Sequence, residues 1–407
     1  MSFAPTRTRH GASPRLVWML PAGLCLLAGL DAALLLLGLP APVTTKRLPE
    51  THGMLLTIGF IGTLVALERA TALRRWYGYL APGLLGLGGV LLIADPVPLT
   101  VAKAVLVAGT AAFTTVYIPL WHRRYDAQLL VQLLGAGFAL AAAILWLGGV
   151  EFALLLPWIY AFIVLTIAAE RVELAITLGP GAGGRLLAHA WGIAVALLIG
   201  LASPRIGAIA LGVAFLALTF WLLRHDIARR TIRARGATRY MAACMLGGYF
   251  WLALAGVALL LSSPNGFPAT QAAYDAVTHA ILLGFAMSMI MAHAPTILPA
   301  VLHIPLPYRT AFWVPAALLH LSLVVRIWLG DGLGITVAFT VGGALGVAAL
   351  LIFAVTALTS AIIGPPKREG RARPGGGDAR TVEDEPADED EPVEGTTRTP
   401  SKGTANG

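Results

Sequence analysis

The hexapeptide Thr-His-x-x-Leu-Leu occurs twice in this sequence, each time near the start of a long apolar segment. The two copies, Thr51–Leu56 and Thr278–Leu283, supply the histidines His52 and His279. A histidine inside an apolar membrane segment is costly to insert and usually has a partner or a function. Two imidazoles at similar depth, on parallel helices, could bind a metal ion or a haem iron from both sides. Alternatively, each imidazole caps its helix or bonds a backbone carbonyl.

Two further residues near the predicted histidine pair could take part in binding. Arg326 lies at the end of a later apolar segment and could pair with a haem propionate, because guanidinium groups suit carboxylates. It could instead extend to the membrane surface, or pair with Asp31 or Asp331. His320 precedes Arg326 by about two helical turns and could be a further metal ligand or a packed, hydrogen-bonded histidine.

A second group of ionisable residues lies toward the opposite ends of the apolar segments. Glu68, Glu170 and His293 could converge to bind a divalent metal ion or to pass protons. The alternative is structural ion pairing, because Arg69 and Arg171 directly follow the two glutamates. His293 and His279 are separated by nearly four turns, about 21 Å, so they cannot share one metal ion.

The elements that must position these side chains are membrane helices. Hydrophobic residues make up 57% of the 407 positions and charged residues only 12%. Apolar runs of about 20 residues, the length that crosses a bilayer, recur along the chain. The sequence therefore predicts an all-α integral membrane protein with about twelve transmembrane helices. The predicted spans are Leu16–Leu39, His52–Ala70, Tyr77–Ala94, Leu99–Trp121, Gln128–Gly148, Glu151–Ala169, Arg185–Ala202, Ile206–Leu223, Arg239–Leu261, Ala273–Leu298, Thr310–Leu329 and Leu333–Ile363.

A short pattern recurs in spans 2, 6 and 10. Each of these spans contains a small residue followed by phenylalanine. An ionisable residue follows at the same distance along the chain in all three spans. This recurrence predicts three pseudo-repeated four-helix units. Equating the two Thr-His pairs within this repeat requires a slip of two residues. The pairs of phenylalanine and ionisable residue are Phe60 and Glu68, Phe162 and Glu170, and Phe285 and His293.

The distribution of charge predicts the orientation of the helices. With the N-terminus inside, arginines crowd the inner flanks, as is typical of cytoplasmic loops. We therefore expect residues 1–364 to form a polytopic domain of a prokaryotic plasma membrane, with both termini cytoplasmic.

Residues 365–407 are rich in Gly, Pro and acidic side chains and are expected to form a disordered acidic tail. The net charge of +8 reflects topology and gives no reason to expect nucleic acid as a partner. The outer flanks hold Lys46, Arg47, Lys103, Arg205 and Arg326.

Several of these features together resemble a known group of membrane proteins. His52-Gly53 at the start of span 2, His279 on span 10, twelve spans and three units of four are similar to subunit I of haem-copper oxidases and to the NnrS family. The resemblance implies a low-spin haem b held by His52 and His279, and a role in electron transfer or in the response to nitric oxide during denitrification. It also implies that copper could bind.

The sequence departs from the oxidase pattern at the catalytic metals. Span 6 has no histidine, and Val277 and Ile281 stand where the oxidases have a His-x-His motif. Reduction of oxygen or nitric oxide at a haem-copper centre is therefore not expected, and whether the protein is an enzyme stays open. A respiratory electron-transfer partner would fit the haem hypothesis. The alternatives are a cofactor-free transporter or proton conductor that uses Glu68, Glu170 and His293, and an assembly factor that binds its partner through the acidic tail.

Overall fold

Twelve helices that are long and apolar enough to cross a membrane form the protein. The structure is a computed structural model that describes residues 16–174, 179, 181–261 and 270–365. No β-strand occurs in these ranges, which confirms the predicted all-α fold. The helices are α1 (Val17–Leu36), α2 (Arg47–Leu73), α3 (Trp76–Ile93), α4 (Leu99–Arg124), α5 (Ala127–Leu147), α6 (Phe152–Leu174), α7 (Ala182–Ala202), α8 (Pro204–His225), α9 (Gly236–Leu261), α10 (Gln271–Leu302), α11 (Thr310–Gly332) and α12 (Thr336–Ile363).

The helices associate as three consecutive units of four that close into a ring. Helices α4 and α5 join the first unit to the second, and α8 and α9 join the second to the third. Helices α12 and α1 join the third unit back to the first, so each junction pairs the last helix of one unit with the first of the next. These contacts close the ring, and its division into three four-helix units stays a prediction of the sequence repeat.

Helices α2, α6 and α10, the second helix of each unit, form the centre of the ring. In their apolar cores, 72%, 67% and 61% of the residues are buried, more than in any of the other nine. Helix α10 contacts both α6 and α2. These are the three helices that carry the repeated phenylalanines, so the repeat marks the central position in each unit.

Two of the central helices are not α-helical throughout. Helix α2 widens to a π-helix over Leu55–Gly62, and α10 does so over Ala280–Met287. Each π segment has eight residues, with Gly-Phe at its fifth and sixth positions. The two helices therefore correspond in structure when their Gly-Phe pairs are aligned, and not when their Thr-His pairs are aligned. Helix α11 has a third π segment, Val324–Gly332, which contains Arg326. Such segments are rare and are frequent at functional sites.

Glycines bring α12 into close contact with the π segment of α11. A Cβ atom added at Gly342 would lie 2.6–2.8 Å from backbone and Cβ atoms of Arg326. A Cβ atom at the adjacent Gly343 would overlap the Arg326 guanidinium and the side chain of Leu37. Small residues allow such close approach between membrane helices. The two glycines therefore provide the space in which the Arg326 side chain lies.

The chain divides into two compact units after Pro365. The first contains the twelve helices. The predicted acidic tail lies, apart from Pro365, outside the described residues.

Candidate functional site

A cavity of about 740 Å³ lies between the first and third four-helix units. Residues of α1, α2, α10, α11 and α12 line it, together with the start of α6. His52, His279 and Arg326 all line this one cavity, as the sequence analysis predicts for a shared site. Its volume is in the range of sites that bind cofactors and drug-sized molecules. We call it the histidine cavity. Most of its lining is apolar and includes Leu30, Leu56, Phe60, Leu283 and Val347.

The two imidazoles are held in the same way by backbone oxygens. Nδ1 of His52 lies 2.8 Å from the carbonyl oxygen of Gly29 on α1. Nδ1 of His279 lies 3.0 Å from the carbonyl oxygen of Asp275, one turn earlier on α10. A carbonyl oxygen only accepts, so Nδ1 carries the hydrogen in each ring and Nε2 of the neutral imidazole carries the lone pair. This is the arrangement in which a second contact orients a metal-binding histidine.

Asp275 connects His279 to Arg326. Its Oδ1 lies 3.2 Å from Nδ1 of His279, and its two carboxylate oxygens accept hydrogen bonds of 2.7 and 2.8 Å from Arg326. The Asp275 side chain is 4% exposed, and such a buried charge requires a partner. The guanidinium also lies 4.0 Å from the centre of the Phe339 ring. Asp31 and Asp331 were the ion-pair partners considered for Arg326 as an alternative to a haem propionate, whereas its bidentate partner is Asp275.

Asp275 was not predicted as a site residue, although the sequence contains a signal for it. Asp275 precedes His279 by four residues, which places both side chains on one face of a helix. The Oδ1 atom of Asp31, by contrast, lies 3.3 Å from the backbone nitrogen of Val43, which donates to it.

The second unit closes one side of the cavity through α6. The ring of Phe152 lies where a Cβ atom of Gly53 would be, so Gly53 makes room for this ring. The hydroxyl groups of Tyr160 and Thr278 are hydrogen-bonded at 2.7 Å. Thr278 directly precedes His279, so this bond fixes α10 against α6 at the depth of the imidazole.

His320 lies outside the residues that line the histidine cavity. The indole Nε1–H of Trp251 donates to its Nδ1 at 2.9 Å, and the two rings are nearly parallel, with an interplanar angle of 7°. Because Nδ1 accepts, the hydrogen of the neutral ring is on Nε2. His320 therefore has the contacts of a packed, hydrogen-bonded histidine, the second of the two predicted roles.

At the other end of α2, three carboxylates surround one guanidinium. Arg69 lies 2.5 Å from Glu68, 2.9 Å from Glu173 and 4.0 Å from Glu170. We call these four residues the carboxylate cluster. Glu68 and Glu170 thus come together, as expected, with Arg69 between them. Arg171, which was expected to neutralise Glu170, lies in a different set of contacts.

His293 belongs to that separate set. Arg171 donates to Asp226 at 2.8 and 3.1 Å, and its Nη1 lies 3.3 Å from Nε2 of His293. Nδ1 of His293 donates to the carbonyl oxygen of Met289 at 2.8 Å. His293 therefore does not join Glu68 and Glu170 in one site. Within residues 16–174, 179, 181–261 and 270–365, no group of three His, Cys, Asp or Glu side chains is placed to bind a metal ion.

Comparison with known proteins gives a family but no activity. The model of a family described as a domain of unknown function (DUF8744) matches residues 15–362, so the chain belongs to this family. No curated protein matches the chain. The function must therefore be inferred from the site itself.

Proposed function

We propose that this multi-pass membrane protein binds one haem b in the histidine cavity, with His52 and His279 as the axial ligands. One observation supports this above the others: two imidazoles from parallel helices line the same cavity, and both have Nδ1 bound to a carbonyl oxygen. Each ring therefore offers its Nε2 lone pair as a ligand. A haem iron needs only two axial ligands, so no third protein ligand is required.

Ligation by two neutral imidazoles favours electron transfer over substrate binding. With both axial positions taken by protein, the iron would be low-spin and would have no open coordination position. We propose a role in electron transfer, with a respiratory partner, or in the response to nitric oxide that the resemblance to NnrS proteins suggests. The same resemblance to NnrS proteins makes copper a second candidate metal.

The polar groups beside His279 would serve two purposes. Asp275 would hold the imidazole in one orientation and increase its electron donation through Nδ1–H. Arg326 donates to Asp275 through Nε and Nη2, and its Nη1, beside Gly343, could donate to a haem propionate. The apolar lining would exclude water from the rest of the site.

We further propose that the protein resides in a prokaryotic plasma membrane with both termini in the cytoplasm. The arginine-rich flanks in the sequence support this orientation. The histidine cavity would then open toward the outer side of the membrane, and the carboxylate cluster would lie at the cytoplasmic side.

A haem titration tests the proposal. Haem is added to the purified full-length protein in detergent, and the Soret absorbance is followed to saturation. We expect saturation at one haem per chain in the wild type and in His122→Ala, whose histidine is exposed on α4. His52→Ala and His279→Ala should not saturate. Non-saturable uptake by the wild type, or equal uptake by all four proteins, would overturn the proposal.

A further inference from the structure

The carboxylate cluster carries more negative charge than its one guanidinium can neutralise. Three carboxylates and one arginine leave an excess of two negative charges if every acid is ionised. The exposed fractions of the Glu68, Glu170 and Glu173 side chains are 21%, 15% and 28%, so water screens them only in part. Neighbouring carboxylates in a partly buried site favour the protonation of one of them.

Glu170 is the carboxylate best placed to hold this proton. It is the least exposed of the three and the farthest from Arg69, at 4.0 Å. Its Oε1 atom is buried and has no hydrogen-bond partner among the described residues. Glu68 and Glu173, by contrast, each accept a hydrogen bond from Arg69. The guanidinium therefore stabilises the charge of these two acids more than that of Glu170.

Buried polar atoms from three helices surround the cluster without a partner of their own. They are the hydroxyl of Tyr117 on α4, Oε1 of Gln132 on α5 and the hydroxyl of Thr166 on α6, none of which is bonded within the described residues. Tyr117 and Gln132 are 0% exposed. Buried polar groups are almost always satisfied, and in polar sites ordered water does this.

Three observations place these residues next to the cluster. The Tyr117 hydroxyl lies within electrostatic range of Arg69 and of all three glutamates. The amide nitrogen of Gln132 is 3.5 Å from Glu173. Thr166 precedes Glu170 by one helical turn and faces Gly135 on α5, where a Cβ atom would lie 3.2 Å from its hydroxyl. The three unpartnered groups thus border Glu170 and its neighbours.

We propose that the carboxylate cluster is a hydrated proton-binding site, in which Glu170 holds an exchangeable proton and water bridges it to Tyr117, Gln132 and Thr166. In the exchange step the Glu170 carboxyl O–H bond breaks and the proton passes to a neighbouring water, leaving the carboxylate. The charged and titratable groups that face Glu170 are Glu68, Arg69, Tyr117 and Glu173. This site goes beyond haem binding and does not depend on it.

Infrared spectroscopy can observe the proton directly. Difference spectra are recorded between high and low pH for the purified full-length protein, in H₂O and in D₂O. We expect a band of a protonated carboxyl group that shifts in D₂O, is lost in Glu170→Gln and changes frequency in Tyr117→Phe. In Glu68→Gln the band should disappear at a lower pH, because one repelling charge has been removed.

Glu151→Gln is the matched control, because Glu151 is an exposed acid that directly precedes α6, far along the chain from Glu170 at the other end of this helix. It should leave the band unchanged. Folding of each variant is checked by circular dichroism and gel filtration. The proposal is overturned if folded Glu170→Gln retains the complete wild-type difference spectrum. It is also overturned if Glu68→Gln and Tyr117→Phe both leave the band and its titration unchanged.

Discussion

The junction between the first and third units contains the histidine cavity, whereas two buried aromatic rings pack together at the equivalent position of the junction between the first and second units. The repeat places Phe60 of α2 and Phe162 of α6 at corresponding positions. Phe60 lines the cavity and is 8% exposed. Phe162 is 0% exposed, and its ring lies edge-on to that of Phe113, 6.2 Å between centres. Equivalent residues of one repeat can therefore either border an open cavity or fill a core.

The helices that border the two junctions differ in their geometry. Helices α2, α10 and α11 all have π segments beside the histidine cavity. Helix α6, which supplies Phe162, is α-helical over Phe152–Leu174. A π-helical turn contains an extra residue and so changes the direction of the side chains that follow it. His52 and His279 lie just before the π segments of α2 and α10, and Arg326 lies within the π segment of α11. We infer that the altered direction of the residues that follow each histidine leaves open a space that regular helices would have filled.

Filling the histidine cavity should remove the difference between the two junctions. In Leu283→Trp an indole would occupy part of the cavity while both histidines remain. We expect haem bound per chain to fall at least tenfold with the fold retained, as measured by haem extraction and circular dichroism. Leu321→Trp is the control, because Leu321 is 52% exposed on α11. Equal haem content in both variants would place the haem elsewhere.

Truncating the two equivalent phenylalanines should have unequal effects on stability. Phe162→Ala removes a fully buried ring and should lower the free energy of unfolding by about 3–5 kcal/mol. Phe60→Ala should have a clearly smaller effect, because its ring already borders open volume. Unfolding by dodecyl sulfate in mixed micelles, followed by circular dichroism on haem-free protein, measures both. Equal losses would contradict the contrast between a ring that borders a cavity and a ring in a packed core.

Asp275→Asn should weaken the site without removing either histidine. Loss of the carboxylate beside Nδ1 of His279 should lower haem affinity about 10–100-fold. It should also raise the midpoint potential, because a weaker imidazole donor stabilises the ferric state less. Haem titration and potentiometry measure the two effects. Asp31→Asn serves as control, since the Asp31 carboxylate accepts from the backbone of Val43. A similar change in both variants would argue against the role of Asp275.

An ion pair between Arg171 and Asp226 links α6 to the end of α8 within the second unit, and Tyr249 of the third unit donates a hydrogen bond of 2.7 Å to Asp226. Burial alone would raise the pKa of Asp226, but the hydrogen bonds and charge of Arg171 hold it below its ordinary value. The resulting stabilisation is present above pH ~4, the ordinary aspartate pKa, and is lost as the pH falls further. We expect the wild-type melting temperature to drop over this range and that of Asp226→Asn to change less. Parallel pH profiles would exclude this contribution.

Sequence patterns predicted the elements of the fold and part of the site. The apolar runs predicted all twelve helices, because the length of a membrane span is fixed by the bilayer. The repeated phenylalanines predicted the three units, and the paired Thr-His motifs predicted two side chains that line one cavity. These features depend on local sequence and on the internal repeat, so the sequence alone is enough to predict them.

The contacts between helices could not be predicted in the same way. Which acid pairs with Arg326, Arg69 or Arg171 depends on how each helix is rotated about its axis. The π segments change this rotation, and their sequences differ little from those of ordinary apolar helices. The expected convergence of Glu68, Glu170 and His293 followed from the repeat alone. In the structure Arg171 lies beside His293, away from the carboxylate cluster.

We propose above all that His52 and His279 bind one haem iron across the cavity. A reduced-minus-oxidised visible spectrum of the purified protein, produced with ample haem, tests it most directly. We predict the sharp bands of a six-coordinate b-type haem in the wild type, and the loss of these bands in both His52→Ala and His279→Ala. A featureless wild-type spectrum at full protein concentration, or sharp bands that persist in either variant, would contradict the claim.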